Sequence, residues 1–450
     1  MTLKNNLKTL LMGLFLSFGA TMNAQTKVSS DAPKLDLTLA KAISIALEEN
    51  PTIKVAEKDI ELKKIADKEA WMNLLPTLDA QLALSHSITV AEIRTSMGTF
   101  KMGMDGTTTA QGSLTLALPI FAPAIYKNMK MTKDDILLAQ EAARGSKLDL
   151  IKQVTKAYYA ALLAKNSVDV VQKAYDVAAE KFRVVDAKYQ VGKASEYDQL
   201  SASVQMRSMK SSLISTQTGL KLALLQLQVL MGVTESVNIN INDDLNNYSK
   251  NLKVEDEFTL AMELDNNTGL RQLNYSEKML GHARSILKTN FMPTIGLQLT
   301  GQYQSMSNDN WNLFKYHYSP SSSLAIAVSI PIFKASNFTK LKSNQLQLMQ
   351  LQDTRQNTIN QLRMAIASYR SNMYSTIDQA NSNMLAVEQA SKAVDIASKR
   401  YEVGNGTILE LNQSQTALTQ AELTYSQSIY DFLVSKADLD YTLGRETYLK

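Results

Sequence analysis

The 450-residue chain carries 47 lysines and arginines against 43 acids, and a formal charge of +4 offers no concentrated basic patch for nucleic acid. It has no cysteine, which excludes disulfides, thiolate metal sites and a lipid-modified cysteine behind a leader. Only 17 glycines and 8 prolines punctuate a sequence rich in Ala, Leu, Gln, Ser and Lys, a balance that favours long helices.

Lys4 and Lys8 precede an apolar stretch from Leu10 to Ala20, followed by Met22-Asn23-Ala24-Gln25. This layout predicts a secretory signal peptide over residues 1–24, cut after Ala24. An uncleaved anchor is the poorer reading, because about 11 apolar residues do not span a bilayer. Removing the leader leaves a net charge of 45 − 43 = +2. No later stretch approaches the length of a transmembrane helix, so any membrane-crossing part must be built from strands.

Residues 39–74 have helical periodicity, with Leu39, Ala42, Ile43, Ala46 and Leu47 on one face. Asn50-Pro51 breaks the run, proline opening a second helix. After Pro76 the period changes to two: Leu78, Ala80, Leu82 and Leu84 oppose Thr77, Asp79, Gln81, Ala83 and Ser85. The same alternation precedes Pro119, with Leu114, Leu116 and Leu118 on one side. Segments of about ten residues, apolar on one face and small or polar on the other, are the pattern of transmembrane barrel strands. Strands of a soluble sandwich share it, but the uncharged apolar face and the direct junctions to very long helices favour the barrel.

From Tyr126 to Gln190 the chain reads as one helix of 65 residues, about 100 Å long at about 1.5 Å per residue. Val168, Val171, Tyr175, Ala178, Phe182, Val185 and Tyr189 form a heptad seam along it. Gly192 ends it, and Ser195-Glu196-Tyr197-Asp198 is a capping-box pattern for a return helix to Met231.

The chain then repeats itself. Leu75-Pro76-Thr77-Leu78 recurs as Met292-Pro293-Thr294-Ile295, 217 positions on. Leu118-Pro119-Ile120-Phe121 recurs as Ile330-Pro331-Ile332-Phe333, Tyr189-Gln190-Val191-Gly192 as Tyr401-Glu402-Val403-Gly404 and Met231-Gly232 as Leu443-Gly444, all 212 positions on. Strands are expected around Ile295, Leu297, Leu299 and Tyr303 and around Leu324, Ile326, Val328 and Ile330. The hairpin loops fall at residues 91–106 and 305–320, the second holding Trp311, Phe314, Tyr316 and Tyr318, candidates for a membrane interface. A second long helix spans 337–401, and Thr407-Ile408-Leu409-Glu410 caps its return helix. There Leu411, Leu418, Tyr425, Phe432 and Leu439 recur every seven residues, flanked by the small Ser414, Ala421, Ser428, Ser435 and Thr442. In repeat one, a 24-residue helix and a 37-residue return helix stacked end to end give 61 residues, close to the 65 of the long helix beside them.

Two hairpins supply four strands, too few to enclose a channel, and an open sheet in lipid leaves its edges unsatisfied. The strands must be pooled between chains, and a trimer gives twelve. The fold class expected is an α+β membrane protein built on a duplicated strand-hairpin/long-helix repeat. A periplasmic or surface coiled-coil structural protein, with soluble strands, is the competing class.

The repeated halves, the prolines Pro76, Pro119, Pro293 and Pro331 at strand–helix junctions, and Tyr-x-Val-Gly-x-x-[Ser/Thr]-x-x-acid at each helical turn resemble the TolC-like outer-membrane efflux proteins over essentially the whole mature chain. That resemblance implies a homotrimer with a 12-stranded outer-membrane β-barrel in lipid, continued by a periplasmic α-helical barrel. It implies a periplasmic adaptor (membrane fusion) protein and an inner-membrane transporter of resistance-nodulation-division or ABC type, with substrates leaving unaltered through a passive duct. The corresponding organisation is an N-terminal extension over 25–38, repeat one over 39–232, a linker or equatorial segment over 233–256, repeat two over 257–444 and a tail over 445–450.

The resemblance places adaptor contacts on the tip residues Val191, Gly192, Lys193, Val403 and Gly404, although turn chemistry alone also explains the glycines. It places Glu410 at the channel gate, three copies ringing the narrowest point, where helix capping is the plainer role. Tyr401 would hydrogen-bond across the gate. Gln413 stands where a second acid is frequent in the family and Gly406 where an arginine is frequent, so the familiar ion pairs of the closed gate are in doubt. No cofactor and no metal site is expected. His86, His282 and His317 are far apart, and no hydrolase motif or complete phosphate loop occurs. Met97, Met102 and Met104 hint at soft-metal export, but gap-filling is the commoner use of methionine.

Overall fold

A computed structural model describes residues 34–101, 104–233, 237–250, 252–254, 264–308 and 312–446. The expected signal peptide, most of the N-terminal extension, parts of the 233–256 linker and of the 445–450 tail, Met102 and Trp311 lie outside the described residues.

Strand β1 (Lys34–Leu37) leads into α1 (Leu39–Glu49), which is capped by Thr38, and α2 (Pro51–Met72). Then come β2 (Thr77–Ser87), a small ribbon of β3 (Glu92–Thr95) and β4 (Gly98–Lys101), and β5 (Thr107–Phe121). Helix α3 (Pro123–Gln190) and its return α4 (Glu196–Leu230) complete repeat one. Short β6 (Asn238–Ile241), which pairs in parallel with β1, and the single-turn α5 (Asn246–Ser249) separate the halves. Repeat two follows as α6 (Thr268–Thr289), β7 (Thr294–Ser307), β8 (Ser319–Ser329), α7 (Ala335–Glu402) and α8 (Ile408–Thr442).

The duplication extends to length. Both short helices have 22 residues, both long helices 68 and both return helices 35. Helix α3 exceeds the expected 65 because Pro123, not Tyr126, opens it at the first-turn position where proline loses nothing, and α7 extends beyond the expected 337–401 at both ends. All four α3, α4, α7 and α8 ends close in the same way. Gly192, Gly232, Gly404 and Gly444 take φ between 66° and 79°, and the next amide reaches back to the carbonyl five residues earlier, as in Lys193 N to Lys188 O at 2.7 Å and Asn405 N to Arg400 O at 2.8 Å. A left-handed residue there satisfies carbonyls that the helix itself leaves open.

The end-to-end stacking expected from helix lengths is present, and asparagine makes it. Asn50 caps α2 by accepting from Thr52 N at 2.8 Å, while its Nδ2 donates to Leu230 O, at the end of α4, at 2.8 Å. Asn267 repeats the arrangement, accepting from Leu270 N at 3.0 Å and donating to Thr442 O, at the end of α8, at 2.8 Å. Glycine permits the approach. A Cβ on Gly232 would stand 2.8 Å from the Glu49 carbonyl, and one on Gly444 would overlap Asn266 O. The composites α4–α2 and α8–α6 thus run alongside α3 and α7.

The main core sits at this joint. Ile151, Val154, Tyr158 and Leu162 of α3 meet Ile43 of α1, Ile53 of α2, Leu227 of α4 and Ile429 and Phe432 of α8, all nearly inaccessible. Toward the tip the expected heptad seam of α3 is buried at Val171, Ala178 and Val185 while its last member, Tyr189, is exposed, and α8 buries Leu411 and Ser428. A second, smaller core of Val185, Ala202 and Ile408, flanked by Phe182 and Tyr401, ties the two helix pairs together at the tip.

Asn267→Asp keeps the acceptor for Leu270 N but cannot donate to Thr442 O. The loss should be on the order of 1–3 kcal/mol, seen as a lower thermal midpoint of the solubilised protein. A midpoint equal to that of the unmutated protein would show that the amide does not hold the joint.

Candidate functional site

Two regions carry the functional expectations: the sheet at one end and the helical turns at the other. The sheet has the order β2-β5-β7-β8, all antiparallel, so the central β5–β7 pair joins the two repeats. Residues paired across antiparallel strands share a face. Leu78, Leu116, Leu299 and Leu324 therefore form one row across all four strands, with Leu118, Leu297 and Ile326 in the next. The opposite face carries Asp79, Thr115, Thr300 and Ser323, then Gln81, Ser113, Gln302 and Ser321. That face is stitched together by side chains, Gln111 Nε2 donating to Gln302 Oε1 at 3.2 Å and Thr115 meeting Thr300 at 3.4 Å. The alternation expected from sequence thus resolves into one apolar and one polar surface.

Among the described residues, little covers the apolar surface: Leu78 is 70% exposed, Leu324 68% and Ile326 66%. Strands β2 and β8 each have an unpaired edge, so the protomer holds an open sheet and no closed barrel. Among the described residues no helix is long and apolar enough to cross a membrane.

The four prolines divide. Pro76 and Pro293 immediately precede β2 and β7, and Pro331 lies between β8 and α7. Pro119 corrects the expectation. It lies inside β5, paired with Gly296 just before a register shift at Ile120, and the junction residue is Pro123. A bulge is where a strand tolerates a residue without an amide proton. Two further expectations change in the loops. Residues 91–106 hold the β3–β4 ribbon rather than open loop, and Tyr316 is buried while Phe314 is fully exposed.

At the other end the turns expose Val191, Gly192, Lys193, Val403 and Gly404. Ser195 and Asp198 form the complete capping box expected. Thr407 makes only half of one: its hydroxyl accepts from Glu410 N at 3.2 Å, while the Glu410 carboxylate lies 3.9 Å from Arg400. Glu410 is thus half-exposed and free of the capping duty that Asp198 performs. Gln413 is exposed one turn further along α8. Tyr401 is partly buried in the tip core, where burial and the nearby Asp198 carboxylate raise its pKa, and Lys188 stands 5.7 Å from its ring. Glu410 and Tyr401 share one turn but not a hydrogen bond. Arg400 escaped the sequence reading, although it directly precedes the Tyr-x-Val-Gly motif.

The histidines stay apart: His86 meets Thr108 across the β2–β5 pair, and His282 pairs with Asp134 at 2.8 Å between α6 and α3. Among the described residues no three His, Cys, Asp or Glu side chains converge as metal ligands.

An open sheet continued by paired 68-residue helices and their returns has a counterpart among known proteins. The family model described as outer membrane efflux protein matches residues 42–233 and 260–445, one segment per repeat. The chain belongs to that family. Alkaline protease secretion protein AprF of Pseudomonas aeruginosa is 22% identical over 420 residues, 91% of this chain and 84% of that protein. Outer membrane protein TolC of Salmonella enteritidis is 21% identical over 408 residues, 88% of this chain and 79% of that protein. Among solved structures, CusC superimposes with a TM-score of 0.73 at 17% identity, covering 93% of this chain and 96% of that one. Outer membrane efflux proteins are channel proteins and not enzymes, and the general role and outer-membrane location of this chain follow from its membership.

Gly404→Val places a β-branched residue at φ 79°, a conformation L-residues avoid. No atom lies within 4 Å of the new Cβ, so the change should distort the turn without disturbing the waist. Export of a reporter substrate should fall while the yield of assembled protein is unchanged; unaltered export would remove the tip from the function.

Proposed function

We propose that this chain is one protomer of a homotrimeric exit duct, passively conducting substrates from a periplasmic adaptor and an inner-membrane transporter of resistance-nodulation-division or ABC type to the exterior. The observation that carries the proposal is the four-stranded sheet with a largely exposed apolar face and two unpaired edges. Three such sheets joined edge to edge make twelve strands, with the leucine rows toward lipid and the Gln, Ser and Thr rows toward water. A soluble coiled coil gives no reason for that uncovered face.

The helices support the same assembly. Helix α7 buries only six of its 68 residues, and α4 only three of 35. Leu222, Leu225 and Val229 of α4 and Val55, Leu62 and Ile65 of α2 are exposed on one composite helix, and Leu346, Met349 and Met364 on α7. Two unlike, unsatisfied surfaces on one chain make a head-to-tail interface, which closes when the rotation closes. The mature chain then begins after Ala24 and, lacking cysteine, is not lipidated there. The tips Val191, Gly192, Lys193, Val403 and Gly404 meet the adaptor. Glu410 from three protomers rings the constriction, where three like charges attract cations and repel one another, with Tyr401 and Gln413 as its neighbours on the gate. Arg400, 3.9 Å from Glu410, softens that repulsion in a position where Gly406 supplies no side chain.

Two experiments test this reading. Purified protein in planar bilayers should give small cation-selective currents, and Glu410→Gln should lose the selectivity. Currents indifferent to the mutation would keep the duct but remove Glu410 from its gate. Ile326→Arg places charge on the lipid-facing row at a cost of about 2–4 kcal/mol at the midplane, so trimers should disappear from outer-membrane fractions. Normal trimer yield would contradict the lipid assignment of that face.

A further inference from the structure

Near the tip, α3 and α7 enclose a groove of about 480 Å3, lined by Val177, Lys181, Val184 and Lys188 of α3, Tyr401 of α7 and Leu411 of α8. Three acids also border it: one is paired with an arginine, and the other two accept hydrogen bonds from neutral side chains. Asp176 accepts from Gln172 Nε2 at 2.8 Å, Glu180 holds Arg183 at 2.9 and 2.7 Å, and Glu402 accepts from Ser398 at 3.2 Å. Lys188 faces the Tyr401 ring.

Lys181 differs from all of these. It is half-buried on the groove wall, and among the described residues no hydrogen bond or ion pair engages its ammonium group. Burial strips water from that charge and lowers its pKa to about 8, with no neighbouring acid to offset the loss. Lys147, Lys152 and Lys156 of α3 are paired with Glu57, Asp149 and Asp438, and Lys127, Lys130, Lys133 and Lys173 are exposed to water.

We infer that this groove binds an amphipathic organic anion, its carboxylate set between Lys181 and Lys188 and its apolar body against Val177, Val184 and Leu411. A carboxylate supplies the opposite charge that a desolvated ammonium lacks, in a charge-assisted hydrogen bond. The valines and leucine gain by leaving water. The volume lies within the range of roughly 300–1,000 Å3 typical of small-molecule sites. Because its walls come from both repeats, an occupied groove also ties together helix pairs that otherwise meet at the tip through the few residues around Val185, Ala202 and Ile408. The inference goes beyond the duct reading and stands or falls separately from it.

The test uses naphthoate as the probe, with naphthylmethanol and (naphthylmethyl)trimethylammonium, which has no amine for the ester to acylate, as neutral and cationic analogues of similar shape. The full solubilised chain is acetylated with a water-soluble succinimidyl ester near pH 8, and each lysine's rate is read by peptide mass mapping. Saturating naphthoate should slow acetylation of Lys181 about fivefold or more by occupancy, leaving the exposed Lys193 unchanged, and the two analogues should not. Val177→Trp, which fills the groove and keeps Lys181, should abolish the protection. Lys181→Met removes a desolvated charge and so should fold normally; it should lose naphthoate binding in equilibrium dialysis while oligomeric state and conductance persist. Equal protection by all three probes, no protection by any, or protection surviving Val177→Trp would each overturn the inference.

Discussion

One side-chain amide, used twice, sets the proportions of this protein. A helix of 22 residues beginning where one of 35 ends presents orphan amide protons and orphan carbonyls to the same buried place. Asn50 and Asn267 each satisfy one of each kind, and both are more than 90% buried. Aspartate offers no donor, and serine has too short a reach to serve both ends. The glycines opposite, Gly232 and Gly444, let the backbones close to contact. With the joint made, two short helices run beside one long helix for most of its length, and the principal core forms around the splice.

The consequence is a molecule held firmly at mid-height and lightly at its tip. The waist core draws on α1, α2, α3, α4 and α8, while the tip core has three buried residues. Stability is unevenly distributed in such a body, and the thinly packed end is where local opening costs least. The two turns there are also unlike. Asp198 closes its capping box, but Glu410, one methylene longer at the matching position, leaves its box half made and turns toward Arg400. Duplication thus made two equal frames, and a single acid separates their chemistry.

Legibility in the sequence followed the range of the interactions. Helix and strand periods, the turn glycines and the offset of 212 positions are local or repeated signals, and they located the two long helices, their returns and the four strands of the main sheet, but not α6. Pro119 misled because alternation runs unbroken through a bulge, and a proline ahead of a helix resembles a junction. The β3–β4 ribbon is four residues per strand, too short for a period to register. The splice asparagines stand 217 positions apart, the same offset as the first proline pair, a signal that could have found Asn267 but was not followed. Their double hydrogen bond did not show, because one partner lies 180 residues away in one repeat and 175 in the other. At the tip, the burial of Tyr401 and the proximity of Arg400 to Glu410 likewise depend on how α7 and α8 cross.

The two ends also differ in what they need in order to exist. The helical part closes its own hydrogen bonds through caps, glycine turns and splices, and its waist excludes water without help from another chain. The sheet does neither. Its central pairing joins strands nearly 200 residues apart, Thr115 to Thr300 for example, and contacts so distant in sequence form late and slowly. Among the described residues, its two edges have no partner and its leucine face is largely uncovered. In the proposed trimer, a protomer with a self-supporting waist and an open sheet avoids exposing a sticky edge only if assembly and membrane entry complete the sheet together. There the exposed faces of α4 and α7 would meet their counterparts on neighbouring protomers, and the packed waist would set the register in which the open sheets join.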